Sequence, residues 1–223
     1  MWWEEQQSML PFRDRGEAGR LLGSALVAYA GRSDVVVLAL PRGGIPVAYE
    51  VAKTLAAPLD VFVVRKLGAP GNGELAIGAA APGGICILQE HIITELGISA
   101  DAVRAIARQA EAERRESEAL YRSSLPPQGA AGKVAIVVDD GIATGATMRA
   151  AIAALRETGA KKVVVAVPVA PAGTCRELRA LADELTCLAM PAVFFTVGQW
   201  YVNFEQITDE ELVGLLEQAA TLV

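Results

Sequence analysis

Four short runs built almost wholly from β-branched and aliphatic residues do most to limit what this chain can fold into. They lie at 35–40 (VVVLAL), 61–64 (VFVV), 134–138 (VAIVV) and 163–167 (VVVAV). A run of this kind has no polar side, so as a strand it must be covered on both faces. Around these runs the apolar residues recur with helical period, which predicts helices at 16–30, 46–56, 100–122, 147–157, 174–183 and 209–220. Doubly covered strands alternating with helices predict an α/β fold: a mostly parallel central sheet flanked by helices. The segment 76–88, with APGG at its centre, predicts an added antiparallel hairpin.

Composition narrows the function classes. The 223 residues carry a net charge of −6, which argues against broad nucleic-acid binding because phosphate neutralisation needs a basic face. A small anionic ligand needs only a local pocket. Cys86, Cys175 and Cys187 are widely spaced and form no CxxC pair, so neither a disulfide framework nor a zinc site is expected. The N-terminal MWWEEQQ lacks the basic and apolar regions of a signal peptide, and no stretch of about 18 apolar residues is present. A cytoplasmic protein without a membrane span is the expectation. Cys86 falls on an apolar strand pattern and reads as core, whereas the single histidine, His91, reads as a surface or capping residue.

The segment 100–122 mixes five acidic with five basic residues. It reads as an inserted, solvated cover helix with i,i+4 charge pairs, held by a stripe at Val103, Ile106, Ala110 and Leu120. A dimer contact is the other reading of this helix. Leu125, Pro126, Pro127, Gln128 and Gly129 are expected to end it.

Chemistry concentrates at 136–148, IVVDDGIATGATM. An apolar strand ends in two adjacent carboxylates, Asp139 and Asp140, and runs through small residues into a helix. The crevice beyond strand carboxyl ends is where ligands bind in parallel sheets. Small loop residues let backbone N–H groups approach a phosphate, and the helix turns its positive end toward it. Two carboxylates would repel that phosphate, so they suit another part of the ligand, such as a sugar diol. The loop has no GK[ST], and GxGxxG is absent. A plain turn with two incidental aspartates would leave their desolvation cost unexplained.

The stretch VVDDGIATGAT resembles the phosphoribosyl pyrophosphate (PRPP) motif of type I phosphoribosyltransferases, whose core is Rossmann-like. The resemblance implies that Asp139 and Asp140 contact the ribose hydroxyls and share a Mg²⁺ ion mostly through ligand and water. It implies that Gly141, Ile142, Ala143, Thr144, Gly145, Ala146 and Thr147 cradle the 5′-phosphate. Pro41-Arg42-Gly43-Gly44 is similar to the family's pyrophosphate loop, with its unusual cis peptide expected between Arg42 and Gly43. Arg65 and Lys66, followed by Gly-rich 68–74, resemble the family's basic pair and mobile loop. Phe195, Trp200 and Tyr201, in VFFTVGQWYVNF, resemble part of a hood that stacks on the acceptor; core packing is an equally open reading. Where 6-oxopurine enzymes carry an acid just before the Thr-Gly, this chain has Ala143.

The resemblance runs from FRDRGEAGR to FTVGQWY and is strongest with the bacterial "predicted phosphoribosyltransferase" group. It implies one domain over 1–223, with a core at 16–185 and a hood at 190–223 joined by N-terminal residues. It implies Mg²⁺-dependent phosphoribosyl transfer from PRPP to a nitrogen heterocycle by a homodimer. In this reading Arg42, Arg65 and Lys66 offset the charge on leaving pyrophosphate. A PRPP-sensing regulator, or a phosphoribosyl hydrolase or phosphorylase, would use the same pocket.

Overall fold

A computed structural model describes residues 11–122 and 127–222. The MWWEEQQ segment and the Leu125-Pro126 part of the expected helix stop lie outside them. The central sheet is parallel throughout, in the order β2-β1-β6-β7-β8. Its strands are β1 (Val35–Ala39), β2 (Leu59–Val61), β6 (Val134–Val138), β7 (Lys162–Val169) and β8 (Glu184–Ala189). All five residues of β1 and of β6 are buried, as runs without a polar side require.

Alternate residues of these strands feed two cores. Val35, Val37 and Ala39 pack with α1 (Arg15–Ala25), α2 (Gly44–Leu55) and α7 (Asp209–Ala219) through Leu22, Ile45, Val51, Leu212 and Leu216. Val36 and Leu38 point the other way, to Met148, Ile152 and Leu155 of α5 (Ala146–Glu157) and to Cys175 and Leu178 of α6 (Ala172–Arg179). Among the described residues no helix is long and apolar enough to cross a membrane.

A second, antiparallel sheet has the order β3 (Arg65–Ala69), β4 (Asn72–Ala81), β5 (Ile85–Leu88). The β4-β5 pair is the expected hairpin. The stretch read as a mobile loop forms the β3-β4 hairpin, turning at Pro70 and Gly71, the latter with φ +76°. The VFVV strand is also displaced: β2 takes Leu59–Val61, and Phe62 to Val64 form the link between the two sheets. The short α3 (Glu90–Glu95) follows β5, with His91 exposed in it.

The long helix α4 (Ala100–Arg122) covers the small sheet. Val103 and Ala110 meet Leu67, Ala69 and Ile77. Leu120, expected on this stripe, is exposed, and Tyr121 is buried in its place. A 3.6-residue period carried forward from Val103 and Ala110 reaches 114 and 121, whereas 120 lies about 100° off that line. The same geometry buries Arg114, which is 4% exposed and paired with Glu111 at 2.7 Å and Glu118 at 2.5 Å. Cys86, read as core, is exposed on β5. It belongs to a thin sheet with mixed exposure, so an apolar pattern there does not imply burial.

Candidate functional site

The chain order sets where the site forms. From β1 it first crosses to β2 on one side, and later returns to place β6 on the other side of β1. Such a reversal opens a crevice at the carboxyl ends of the two neighbouring strands. Ala39 of β1 and Val138 of β6 are register partners, so the loops that follow them face one another across it.

The loop after β1 is short and tightly held. Leu40 N–H donates to Val138 O at 2.9 Å, and Gly44 N–H donates back to Leu40 O at 3.1 Å. The cis peptide is Pro41-Arg42, one bond earlier than expected. Gly43 already has helical backbone angles and Arg42 O accepts from Ile45 N–H at 3.2 Å, so the bond after Arg42 belongs to the opening turn of α2. Both glycines are needed for contact with the loop after β6. A Cβ on Gly44 would lie 2.7 Å from Val138 O, and one on Gly43 would strike the Asp140 carboxylate.

The two carboxylates at the end of β6 differ in surroundings. Asp139 Oδ1 accepts the Asp140 amide at 2.9 Å. Asp140 is 8% exposed, and its Oδ2 accepts Arg15 Nε at 2.8 Å. Burial, with the adjacent Asp140 charge, pushes Asp139 well above the usual carboxylate range. Burial raises Asp140 too, against the pull of the Arg15 guanidinium.

The next residues form the loop that opens a helix. Gly141 and Ile142 are buried, while Ala143, Thr144 and Thr147 are exposed. Gly145 takes φ +76°, which turns the chain into α5 and leaves its N-terminus without a side-chain cap. The first N–H groups of such a helix have no partner within it and favour an anion. Thr174 Oγ1 donates to Ala143 O at 2.9 Å and fixes the loop from α6.

Two of the basic residues rest on neighbouring elements. Arg42 pairs with Asp209 at the start of α7 and lies 3.4 Å from Ile207 O. Arg65 donates to Ser117 Oγ of α4 at 2.5 Å. Lys66 and Thr147 line one cavity of about 280 Å³ between the small sheet and α5. Burial raises the Tyr121 hydroxyl, while the Arg42 and Arg65 charges pull it down.

The C-terminal aromatics divide. Phe195 is 79% exposed. Trp200 stacks on Phe194 with centroids 6.1 Å apart, and its buried Nε1 has no hydrogen-bond partner among the described residues. Tyr201 is buried against Phe12 and Phe204, and its hydroxyl donates to Asp140 O at 2.5 Å. What Tyr201 offers the site is thus support for the carboxylate loop. Phe12 and Tyr201 also form a parallel bridge, which ties the N-terminal segment to the C-terminal one.

Arg15 is the residue that sequence reasoning passed over. Besides Asp140, its guanidinium donates to Glu205 O at 2.9 Å and lies over the Phe204 ring at 3.9 Å. Its signal was modest: Asp14, an N-cap residue accepting Glu17 N–H, places the next residue at a helix start beside the crevice.

The chain as a whole is similar to known proteins. A family model described as "Phosphoribosyl transferase domain" matches residues 17–200. Two Mycobacterium tuberculosis proteins named as candidate phosphoribosyl transferases, Rv0571c and MT0597, are 47% identical over 208 residues, or 93% of this chain. The chain spans about half the length (47%) of these curated relatives. The crystal structure of TT1426 from Thermus thermophilus is 41% identical and superposes with a TM-score of 0.85, covering 94% of this chain and 99% of that one.

Proposed function

Since the chain belongs to the phosphoribosyl transferase domain family, we propose that it transfers a 5-phosphoribosyl group from PRPP to a nitrogen heterocycle and releases pyrophosphate. The observation that carries this reading is the shared loop at one switch point. It sets two carboxylates beside an uncapped helix N-terminus, as a ligand with a diol at one end and a phosphate at the other requires.

In the reaction, the bond from ribose C1′ to the pyrophosphate oxygen breaks, the ring takes up positive charge, and the acceptor nitrogen bonds to C1′. Asp139 and Asp140 hold the diol and lie near the developing positive charge. The amides and hydroxyls from Gly141 to Thr147 hold the 5′-phosphate. Arg42, Arg65 and Lys66 offset the charge on the leaving group. Arg42 and Arg65 must first exchange their present partners, Asp209 and Ser117. Exposed pairs of this kind are worth only about 0–1 kcal/mol, so pyrophosphate outcompetes them at little cost.

The donor set fits Mg²⁺. Adjacent carboxylates, both raised by burial and Asp139 also by the Asp140 charge, supply hard oxygen ligands whose excess negative charge a cation relieves. Among the described residues no group of three or more His, Cys, Asp or Glu is placed to hold a metal. When bound, Mg²⁺ supplies charge neutralisation on the diphosphate.

Phe195 and Trp200 are proposed for stacking on the acceptor, Phe195 being the open one. Ala143 offers the base no acid or amide side chain, which favours acceptors other than 6-oxopurines. A homodimer in the cytoplasm is part of the proposal; the three cysteines are free thiols, as a reducing compartment keeps them.

The test is calorimetric titration with PRPP and Mg²⁺, followed by pyrophosphate detection against purines, pyrimidines and related heterocycles. Acceptor-dependent release is the expected result. Binding without release would move the reading to a PRPP sensor, and absence of binding would overturn it.

A further inference from the structure

Arg15 is remote from the phosphate loop in sequence, yet it touches the carboxylate that this loop projects. Its Nε donates to Asp140 Oδ2 at 2.8 Å, and both side chains are only 12% exposed. A second arm of the guanidinium donates to Glu205 O, and the Phe204 ring lies beneath its plane. Arg15 is thereby held at three points, two of them on the C-terminal segment.

Asp140 is held in turn. Its backbone carbonyl accepts the Tyr201 hydroxyl, and Gly43 closes against its carboxylate. Oδ2 is committed to Arg15, so the carboxylate is held at one of its two oxygens. A carboxylate without such a tether samples several rotamers, and each new hydrogen bond to a ligand must then restrict it. A tethered one meets a hydroxyl already aimed.

We propose that Arg15 is a positioning residue that orients Asp140 toward the ribose hydroxyls and so sets the preference of this site for ribose over 2-deoxyribose phosphates. This rests on the phosphoribosyl reading of the site. Arg15 itself touches neither the sugar nor the reacting bond. The fork shape matters, because a lysine at this position reaches Asp140 with one point charge and cannot also lie flat on Phe204 while donating to Glu205 O.

The contrast between two sugar phosphates isolates the effect. Ribose 5-phosphate and 2-deoxyribose 5-phosphate share the 5′-phosphate and differ only in one hydroxyl. A hydrogen bond to an ionised carboxylate is worth enough to give the wild-type protein about a tenfold or larger preference for the ribose form. Both ligands are titrated calorimetrically in the presence of Mg²⁺ against wild type, Arg15→Gln and Arg15→Lys. The expected result is that Arg15→Gln lowers the preference to within about threefold of unity with 2-deoxyribose 5-phosphate affinity retained, and that Arg15→Lys recovers part of the preference.

An Arg15→Gln protein that keeps the wild-type ratio, or that loses affinity for both sugars equally, overturns the proposal. If Arg15→Gln does not fold, Arg15→Lys, which keeps the charge and loses the fork, must lower the ratio in its place; an unchanged ratio there also overturns it. Failure of the wild type to bind either sugar phosphate or PRPP is a different outcome, since it removes the phosphoribosyl reading itself.

Discussion

Gly43 lies so close to Asp140 that a Cβ added to it would sit 2.0 Å from Oδ2 and 2.9 Å from Oδ1. The loop after β1 and the loop after β6 are therefore fitted to each other through a missing side chain. Gly43→Ala must move the turn or the carboxylate, and the carboxylate is tied to Arg15. We expect this variant to lose PRPP affinity by tenfold or more with a lowered Tm. Wild-type affinity measured by calorimetry would refute the fitted-loop account.

Asp139 gives a stability prediction of opposite sign to its functional one. Its folded-state pKa is raised above the unfolded value, first by burial and then by the Asp140 charge. The folded state therefore holds that proton more tightly. Its contribution is complete below the unfolded pKa near 4 and is lost as pH rises through the folded value. Asp139→Asn removes this loss, so the ligand-free variant should be more stable than wild type at pH 7 and should vary less with pH above 4. Its affinity for Mg²⁺ with PRPP should fall. Urea unfolding across pH settles the first point: a less stable variant at pH 7 contradicts it.

Helix α4 carries an acid-sensitive fastening. Hydrogen bonds from Arg114, aided by Arg115, hold the Glu111 carboxyl down at about 2 from an ordinary value of 4.5. A depressed pKa contributes stability that is present above the unfolded value and is lost as pH falls through the folded one. Glu111→Gln should flatten the acid limb of the stability curve between about 4.5 and 2. The matching observable is the protection factor of the amides in residues 100–122, which should fall in wild type as pH drops through that range. A variant with an unchanged acid limb counts against the fastening.

Tyr201 is expected to act through the fold. Its hydroxyl donates to a buried carbonyl, Asp140 O. Tyr201→Phe leaves that acceptor unpaired at a cost of about 1–3 kcal/mol. Equilibrium denaturation measures this directly, and a loss below about 0.5 kcal/mol would show that water replaces the hydroxyl.

Arg65 and Lys66 are proposed to meet the leaving group as its charge grows. Changing both to Ala should lower kcat by about a hundredfold and weaken PRPP binding by only a few-fold. Equal losses in turnover and in ground-state affinity would assign them to uniform binding.

Much of the architecture was legible because it rests on local pattern. The runs that became β1, β6 and β7 have no polar side, which leaves burial between two helical layers as the one arrangement available to them. The helix expected at roughly 100–122 from its period is α4, Ala100–Arg122. Strand β8 (ELTCLA) was not found, because at the sheet edge only Ala189 is fully buried and the pattern is diluted by Glu184 and Thr186. The β3 strand was read as loop because Gly68 and Gly73 mask its alternation, and a Cβ on Gly68 would meet Gly73 at 2.8 Å only once the hairpin has closed.

By itself the sequence determined the parallel core and the chemistry offered at one strand end: paired acids, small loop residues and a helix start, all contiguous and thus independent of distant partners. Only the tertiary structure decided how those groups are held. Arg15 meets Asp140 across 125 residues and Tyr201 meets it across 61. Arg42 and Arg65 rest on Asp209 and Ser117, which lie on two other helices. Such pairings depend on which side chains folding brings within hydrogen-bond reach and which of them water is excluded from, and neither quantity is written in local spacing.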